Sequence, residues 1–352
     1  MRKINRYIFN VVFNAIGVTL IVFMSLDFIF GLINQLDAVR ANYTPFEALI
    51  YLLLNLPGKL YAFMPFCCLI GCLAGLGILA SSSELTIVRA AGVSTTRIVW
   101  MTLRPAIVFI FAALLIGEYI SPYTEQLATN RKAIATGSNA KQSQQQTWNR
   151  EHNEFIHFDA VLPNGIIYGI NRYQFSDDHK LISASRAKQA IYQGGFWQEE
   201  GIAITHINAD STSVEKLSSR RWDTNLTPDL LNILVLDAAD LSIGNLRYYI
   251  NYLKAQNIKS DDYSLSFWRK VLQPLATASL VLIAISFIFG PLRSVTTGQR
   301  IFIGVLLGVT FEIIQRLLGP SSLVFGFSPL FAVLLPIMFC LAVGTYLLRK
   351  AG

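Results

Sequence analysis

Residues 8–34 read IFNVVFNAIGVTLIVFMSLDFIFGLIN, and Asp27 is the only charged side chain among them. A helix of about 20 apolar residues crosses the hydrocarbon core of a bilayer, so this run predicts a transmembrane helix. A signal peptide has a shorter apolar stretch and a small-residue cleavage site, whereas this run ends at Asn34-Gln35-Leu36-Asp37. We therefore expect a retained membrane anchor.

Two apolar blocks flank a polar one in this chain. Further runs of span length cover 58–80, 97–120, 266–289, 301–318 and 328–348. The polar block between the third and fourth runs has strand-like alternation, interrupted by Gly, Asn and Asp turns. Its candidate strands are 154–161, 165–175, 181–192, 196–207 and 213–223. Such regular spacing predicts an all-β sandwich or roll, inserted between three spans on each side.

Basic residues predict the orientation of these spans. The positions at the termini and in the short connections are Arg2, Lys3, Arg6, Arg89, Arg97, Arg293, Arg300, Arg349 and Lys350. Short loops rich in Lys and Arg stay in the cytoplasm, so both termini are expected there and residues 122–265 outside. That outer block has a net charge of −2 and the remainder +9, so the basic excess does not indicate nucleic-acid binding.

Motifs for catalysis and for metal binding are absent from the sequence. It has no phosphate-binding loop, nucleophile elbow, His-Glu-x-x-His or Cys-x-x-Cys pair. The four Cys lie in apolar runs and the four His lie in the polar block, so we expect no zinc site and ordinary strand histidines. The chain is expected to be no enzyme, and a partner must hydrolyse any nucleotide.

The connection between the second and third runs predicts a short cytoplasmic helix over about 81–92. Ser81-Ser82-Ser83-Glu84 matches a capping box with Ser81 as N-cap, and Gly92 can supply a left-handed stop. Two interpretations stay open: a plain capped connector, or a rigid knob that a cytoplasmic partner grips.

Two further local predictions are an interfacial segment over 45–57 that breaks at Pro57, and a return helix with Ser242 as its N-cap.

Charged side chains near the outer ends of the spans are the remaining candidates. Asp27, Glu118 and Glu312 are costly in a membrane and therefore candidates for function, although Glu312 has Arg316 four residues later as a possible partner. An outer cationic ring or simple headgroup contacts would explain Arg40, Lys59, Arg131 and Lys132. The small-residue pairs Gly71/Gly75 and Gly304/Gly308 fit packing within the chain or against another chain.

Three function classes fit these features. The first is a transporter subunit that moves a substrate across or out of the membrane with energy from a partner. The second is a transmembrane sensor or scaffold whose outer domain binds a ligand and signals through the short helix. The third is a lipid-modifying enzyme using Asp27 or Glu118, for which no nucleophile and base pair appears.

The chain resembles, over its whole length, the LptF/LptG family of lipopolysaccharide export permeases, and most of all its LptG members. The residues that carry the resemblance are Arg6-Tyr7-Ile8, Ser83-Glu84-Leu85, Ala90-Ala91-Gly92, Thr224-Asn225-Leu226-Thr227-Pro228, and the runs 246–254 and 286–294. The resemblance implies a membrane α-helical fold with an inserted all-β periplasmic jellyroll-like domain. Residues 1–125 would hold spans one to three, 126–262 the periplasmic domain with its return helix, and 263–352 spans four to six.

The resemblance also implies a function and partners. The chain would be the permease subunit of an ABC transporter in the inner membrane of a Gram-negative cell, extracting lipopolysaccharide from the outer leaflet. Its partners would be an LptF-like permease subunit, an LptB ATPase dimer, and LptC, which leads to an LptA bridge. ATP and Mg would bind the ATPase, and this chain would hold no cofactor.

Glu84, Arg89 and Lys132 match positions of the family, and the other candidates take their roles from the function that the resemblance implies. The ATPase-coupling residues would be Glu84, Leu85, Val88 and Arg89. Lipid phosphates would contact Arg40, Lys59, Arg131, Lys132 and Arg316. The lipid cavity and its gates near the first and fifth spans would involve Phe23, Asp27, Phe28, Phe30, Ile33, Gly304, Gly308 and Glu312. Family members can carry lysines at the outer end of the first span, where this chain has only Arg40.

Overall fold

A computed structural model describes most of the chain. The described residues are 2–37, 43–135, 147–151, 153–162, 165–178, 180–208, 211–224, 226–228, 230–231, 237–255, 258–289 and 295–351. Six helices within them are long and apolar enough to cross a membrane. The predicted fold class, six apolar spans with an all-β insertion, is confirmed.

The helices extend beyond the apolar runs at most ends, because polar turns continue each helix. Before the sheet they are α1 Arg2–Leu36, α2 Pro45–Ser81, the short α3 Glu84–Ala90, α4 Thr95–Leu115 and α5 Ser121–Ala135. A π-helical turn, Ile116–Ile120, joins α4 and α5 into one continuous span. After the sheet come α6 Ile243–Ala255, α7 Asp261–Phe289, α8 Thr297–Phe325 and α9 Pro329–Ala351.

The predicted break at Pro57 is wrong, since α2 continues through Pro57 and Pro65. Proline removes one N–H from the helical ladder, but neighbouring helices can hold such a helix together in a membrane. Here α2 packs against α1 and α5 on both sides of the proline, and Gly58 lies directly against the Glu125 side chain of α5.

The predicted strands agree with the structure to within one residue at each end. They are β2 Glu154–Leu162, β3 Ile166–Phe175, β4 Leu181–Tyr192, β5 Trp197–Ile207 and β6 Thr212–Trp222. Sequence patterning missed the short polar strand β1, Thr147–Glu151. All six described strands form one antiparallel sheet in chain order, so β1 and β6 are its edges.

One face of this sheet is covered by the chain's own return segment. Trp197 is fully buried and its Nε1–H donates a 2.6 Å hydrogen bond to the Leu226 carbonyl. The predicted apolar face of α6 contributes Leu246, Tyr249 and Leu253 to the same core. Ser242 is the N-cap as predicted, its Oγ accepting from the Asn245 N–H at 3.1 Å. The described residues of the β domain, 147–255, therefore pack a filled hydrophobic core against this face of the sheet.

Both small-residue pairs pack within the chain. A Cβ on Gly71 would lie 2.5 Å from the Ile16 Cα of α1, and one on Gly308 would lie 2.7 Å from the Phe66 ring of α2. The α2 helix therefore lies between α1 and α8 and makes close contacts with both. The sequence left open whether these pairs pack within the chain or against another chain, and the structure shows that they pack within it.

Hydrogen bonds from side chains to backbone carbonyls link the spans. Gln273 of α7 donates to the Tyr61 carbonyl of α2 at 2.8 Å, and Ser286 of α7 donates to the Gly344 carbonyl of α9 at 2.8 Å. The Arg300 guanidinium at the start of α8 is buried and donates to the Gly77 carbonyl at 2.6 Å. Such bonds satisfy polar groups that hydrocarbon would leave unpaired.

The predicted capping box of α3 is wrong. The helix begins at Glu84, and its N-cap Ser83 has a left-handed φ of 60° without a side-chain cap. Ser81 and Ser82 donate instead to the Ile78 carbonyl of α2, because the last carbonyls of a helix lack intrahelical partners. The predicted stop is confirmed: Gly92 has φ +82°, and its N–H bonds to the Arg89 carbonyl.

Candidate functional site

Three spans hold the short helix α3 in place. Leu85 is buried in the core between the spans, and Val88 packs against that core. The Arg89 guanidinium lies 5.5 Å from the centre of the Phe289 ring at the end of α7. The Glu84 carboxylate lies near the Tyr7 hydroxyl of α1. A push on α3 would therefore reach the spans directly through packed side chains.

The opposite face of α3 is exposed. Thr86, Ile87 and Ala90 face outward, and Ile87 is 66% exposed despite its apolar side chain. Ile87 was not among the residues predicted from the sequence, although its place two residues after Leu85 and one before Val88 puts it off the inward face. An exposed apolar side chain on a rigid helix is suited to a partner contact.

Two of the predicted cations near the β domain are paired with carboxylates. Lys59 of α2 lies 3.6 Å from Asp27 of α1, and Arg131 lies 3.3 Å from Glu47. Both lysine and arginine side chains are about half exposed, at 52% and 45%. A competing phosphate could replace either carboxylate at such exposed sites. Arg40 lies outside the described residues.

Lys132 is the cation with the most enclosed surroundings among these candidates. Its ammonium lies 4.6 Å from the centre of the Tyr51 ring and 5.9 Å from that of Tyr43. Burial lowers the pKa of Lys132 below its usual value. Two aromatic faces and partial burial fix the direction in which this charge can be presented.

A buried polar cluster near Lys59 was missed by sequence analysis. Lys270 of α7 is buried 5.5 Å from the centre of the Tyr61 ring, and the acids Glu125 and Asp240 lie close to it. Glu125 is also buried and accepts from Ser121 Oγ at 3.0 Å. Burial, reinforced by the negative charge of Asp237, raises the pKa of Asp240. The only sequence signal was the charge of Lys270 within the membrane-spanning helix α7.

Glu312 and Arg316 form a pair on the outer face of α8. Arg316 Nε donates to Glu312 Oε1 at 2.7 Å. The Arg316 side chain is 75% exposed and that of Glu312 is 37% exposed. The pairing that the sequence allowed is therefore present. The Arg316 charge nevertheless remains open to a phosphate.

The remaining cavity candidates divide between packed and open positions. Phe23 packs with Phe63 of α2 at a centroid distance of 6.2 Å, and Gly304 and Gly308 face α2. Phe28 is half-buried, whereas Phe30 and Ile33 of α1 are 63% and 54% exposed. The open face of α8 exposes Phe302, Leu306 and Leu317. The described residues of this chain leave both apolar faces uncovered, one on α1 and one on α8.

Neither acid that the enzyme hypothesis requires stands in a catalytic arrangement among the described residues. Asp27 is paired with Lys59, and Glu118 caps α6 by accepting from the backbone N–H groups of Ile243 and Gly244. His157 lies 3.7 Å from Asp159 and His206 lies 3.5 Å from Glu215, while His152 and His179 lie outside the described part of the chain. That part contains no group of three potential metal ligands.

Known proteins are similar to this sequence over nearly its full length. The family model described as lipopolysaccharide export system permease LptF/LptG matches residues 6–350. The lipopolysaccharide export system permease protein LptG of Escherichia coli (strain K12) is 34% identical over 352 residues, covering 99% of this chain and 98% of that protein. The LptG protein of Haemophilus influenzae is 33% identical over 355 residues, covering 99% of each. This chain is a multi-pass membrane protein that belongs to the LptF/LptG family of lipopolysaccharide export system permeases.

Proposed function

We propose that this chain is the permease subunit of an ABC transporter that extracts lipopolysaccharide from the outer leaflet of the inner membrane and passes it to a periplasmic bridge. The observation that carries the proposal is α3, a short helix wedged against three spans by Leu85, Val88 and Arg89 while Ile87 points outward. The chain itself hydrolyses no ATP in this proposal. An LptB-like ATPase dimer binds α3 and supplies the energy.

The coupling step follows from how α3 is held. The ATPase contacts the exposed residues Thr86, Ile87 and Ala90, and the buried side chains pass its movement to the spans. Glu84 transmits movement to α1 through Tyr7, and Arg89 transmits it to α7 through Phe289. Glu84, Leu85, Val88 and Arg89 thus act on the inner side of the helix, while Ile87 adds a contact on the outer side.

The two uncovered apolar faces support a paired permease. An LptF-like subunit would sit across from α1 and α8, closing a cavity between the two chains with lateral gates at those helices. Removing acyl chains from the bilayer costs about 0.8 kcal/mol per CH₂, so only an apolar cavity of this kind can receive them. Phe30 and Ile33 on α1 and the open face of α8 supply its wall on this side.

Lipid phosphates would bind at the end of this cavity nearest the β domain. Lys59, Arg131 and Arg316 would exchange their carboxylate partners for phosphate oxygens, and Lys132 would join from its aromatic enclosure. A phosphate offers more charge and more acceptor oxygens than a half-exposed carboxylate. Arg40 remains a predicted contributor.

The proposed orientation places both termini and α3 in the cytoplasm and the β domain in the periplasm. The edge strand β6 is exposed along almost all of its length, and Val214 is 64% exposed. An exposed edge accepts a strand from another protein by backbone hydrogen bonding. LptC is the proposed partner there, with its membrane helix beside α1, leading to the LptA bridge.

Reconstitution into vesicles tests the proposal. Vesicles containing lipopolysaccharide, this chain, its LptF-like partner, LptC and the ATPase should release lipopolysaccharide to a soluble acceptor on addition of ATP. Ile87→Asp should abolish release and reduce ATPase co-purification, whereas Ile87→Leu should preserve both. ATP turnover without lipid release, with the ATPase still bound, would favour the sensor or scaffold class instead.

A further inference from the structure

A second cationic site lies at the other end of the spans, where α1 and α4 begin. A cavity of about 290 Å³ there is lined by Asn5, Arg6 and Phe9 of α1 and by Met101 and Arg104 of α4. Phe9 stacks on Phe13, whose ring lies 4.8 Å from that of Phe109, so aromatic packing of the two helices continues beneath the cavity. The site is thus polar at its mouth and apolar at its base.

The two arginines of this cavity have no carboxylate partner within 4 Å in the described part of the chain. They come from different helices, and Arg104 is positioned by the exposed Trp100 ring, 5.9 Å from its guanidinium carbon. Guanidinium groups bind phosphate oxygens in paired hydrogen bonds. Two guanidinium groups that line one cavity can therefore contact the same lipid phosphate.

Asn5 supplies an independent observation. Its Oδ1 is buried and has no hydrogen-bond partner among the described protein atoms. A buried acceptor without a donor is costly. Asn5 also lines the cavity, so a donor on a molecule bound there would satisfy this atom. The cavity therefore combines two cations for a phosphate with an acceptor for a hydroxyl group.

We propose that this cavity binds the headgroup of an anionic glycerophospholipid, with its phosphate held by Arg6 and Arg104 and a headgroup hydroxyl held by Asn5. Phosphatidylglycerol has this combination of groups. Basic pockets between membrane helices recognise such headgroups. The site is separate from the cations near Lys59 and Lys132, which lie toward the opposite end of α2, so the proposal holds whether or not the chain exports lipid.

Native mass spectrometry of the complete, delipidated chain tests the assignment, with phosphatidylglycerol, phosphatidylethanolamine and glycerol 3-phosphate as probes. Phosphatidylglycerol should bind most tightly, and the Arg6→Gln/Arg104→Gln variant should lose about tenfold in its affinity. The matched control is Arg349→Gln/Lys350→Gln, which removes the same charge at the same ends of the spans outside the cavity. Equal loss in both variants, or tight binding of glycerol 3-phosphate, would overturn a lipid site here.

A separate binding measurement tests the role of Asn5. Asn5→Leu should weaken phosphatidylglycerol severalfold while leaving phosphatidic acid, which lacks a headgroup hydroxyl, unchanged. Equal effects on both lipids would remove Asn5 from the site.

A measurement on the unmodified chain covers the case in which the arginine variants fail to fold. Brominated phosphatidylglycerol should quench Trp100 fluorescence more strongly than brominated phosphatidylethanolamine, the Trp100 signal being obtained by difference from Trp100→Phe. Equal quenching would contradict the proposal.

Discussion

The carboxylate of Glu118 accepts a 2.8 Å hydrogen bond from the backbone N–H of Ile243, a residue 125 positions later in the chain. Its other oxygen accepts from the Gly244 N–H at 3.2 Å. Glu118 lies in the π-helical turn between α4 and α5, and Ile243 is the first residue of α6. A charged side chain of a membrane span therefore caps the helix that packs on the β domain. This contact gives the two parts of the molecule a fixed attachment.

Replacing Glu118 should loosen that attachment. Glu118→Ala removes two charge-assisted hydrogen bonds and a favourable charge at a helix N-terminus, and should lower the free energy of unfolding by about 2 kcal/mol. Hydrogen exchange should rise at the first turn of α6 before it rises in the sheet. The control is Asp262→Asn, an exposed acid in the first turn of α7. Unchanged exchange at Ile243 and Gly244 in Glu118→Ala would refute this attachment.

The tight crossing of α1 and α2 gives a second prediction. Gly71→Ala would place a Cβ 2.5 Å from the Ile16 Cα and should destabilise the fold by about 2 kcal/mol, because backbone must move apart. Gly17→Ala is the matched control, since beyond its own stretch of helix backbone no described atom lies within 4 Å of the added Cβ. That change should be neutral or slightly stabilising, as alanine favours helix. Thermal unfolding in detergent compares the two, and similar effects would contradict the assigned crossing.

Features that depend on local sequence were predictable here. Apolar runs and alternating strands gave the spans and β2 to β6, because each depends on a local period and on nearby turn residues. Pro57 and Ser81 were misread because neighbouring helices and the end of α2 determine their environments. The attachment of Glu118 to Ile243 and the burial of Lys270 depend on residues that are distant in the chain. Local patterns contain no information about such contacts.

The pKa of Asp240 predicts a dependence of stability on pH. Burial and the charge of Asp237 raise this pKa in the folded protein, so the fold favours the protonated acid. Its contribution is fully present below the unfolded pKa of about 4 and is lost as the pH rises through the folded pKa. Asp240→Asn should therefore be more stable than the unmodified chain at neutral pH, with the difference shrinking toward pH 4. The exposed Asp178→Asn is the control, and a constant difference across this range would exclude Asp240 as its source.

The buried acid of the β domain gives the last prediction. Glu199 is fully buried on β5, and its Oε2 lies 3.2 Å from Nη1 of Arg172 and 2.7 Å from Nη2 of Arg220. Glu199→Gln keeps the shape of the side chain but leaves two guanidinium groups without their shared anion, so we expect a loss of about 3 kcal/mol. The change should appear in the unfolding of the β domain, followed by tryptophan fluorescence, because Trp222 lies beneath Arg172. Glu215→Gln, at an exposed position of β6, should have little effect. If both variants unfold alike, the two ion pairs contribute no net stability, and packing around Trp197 and Trp222 alone holds the domain together.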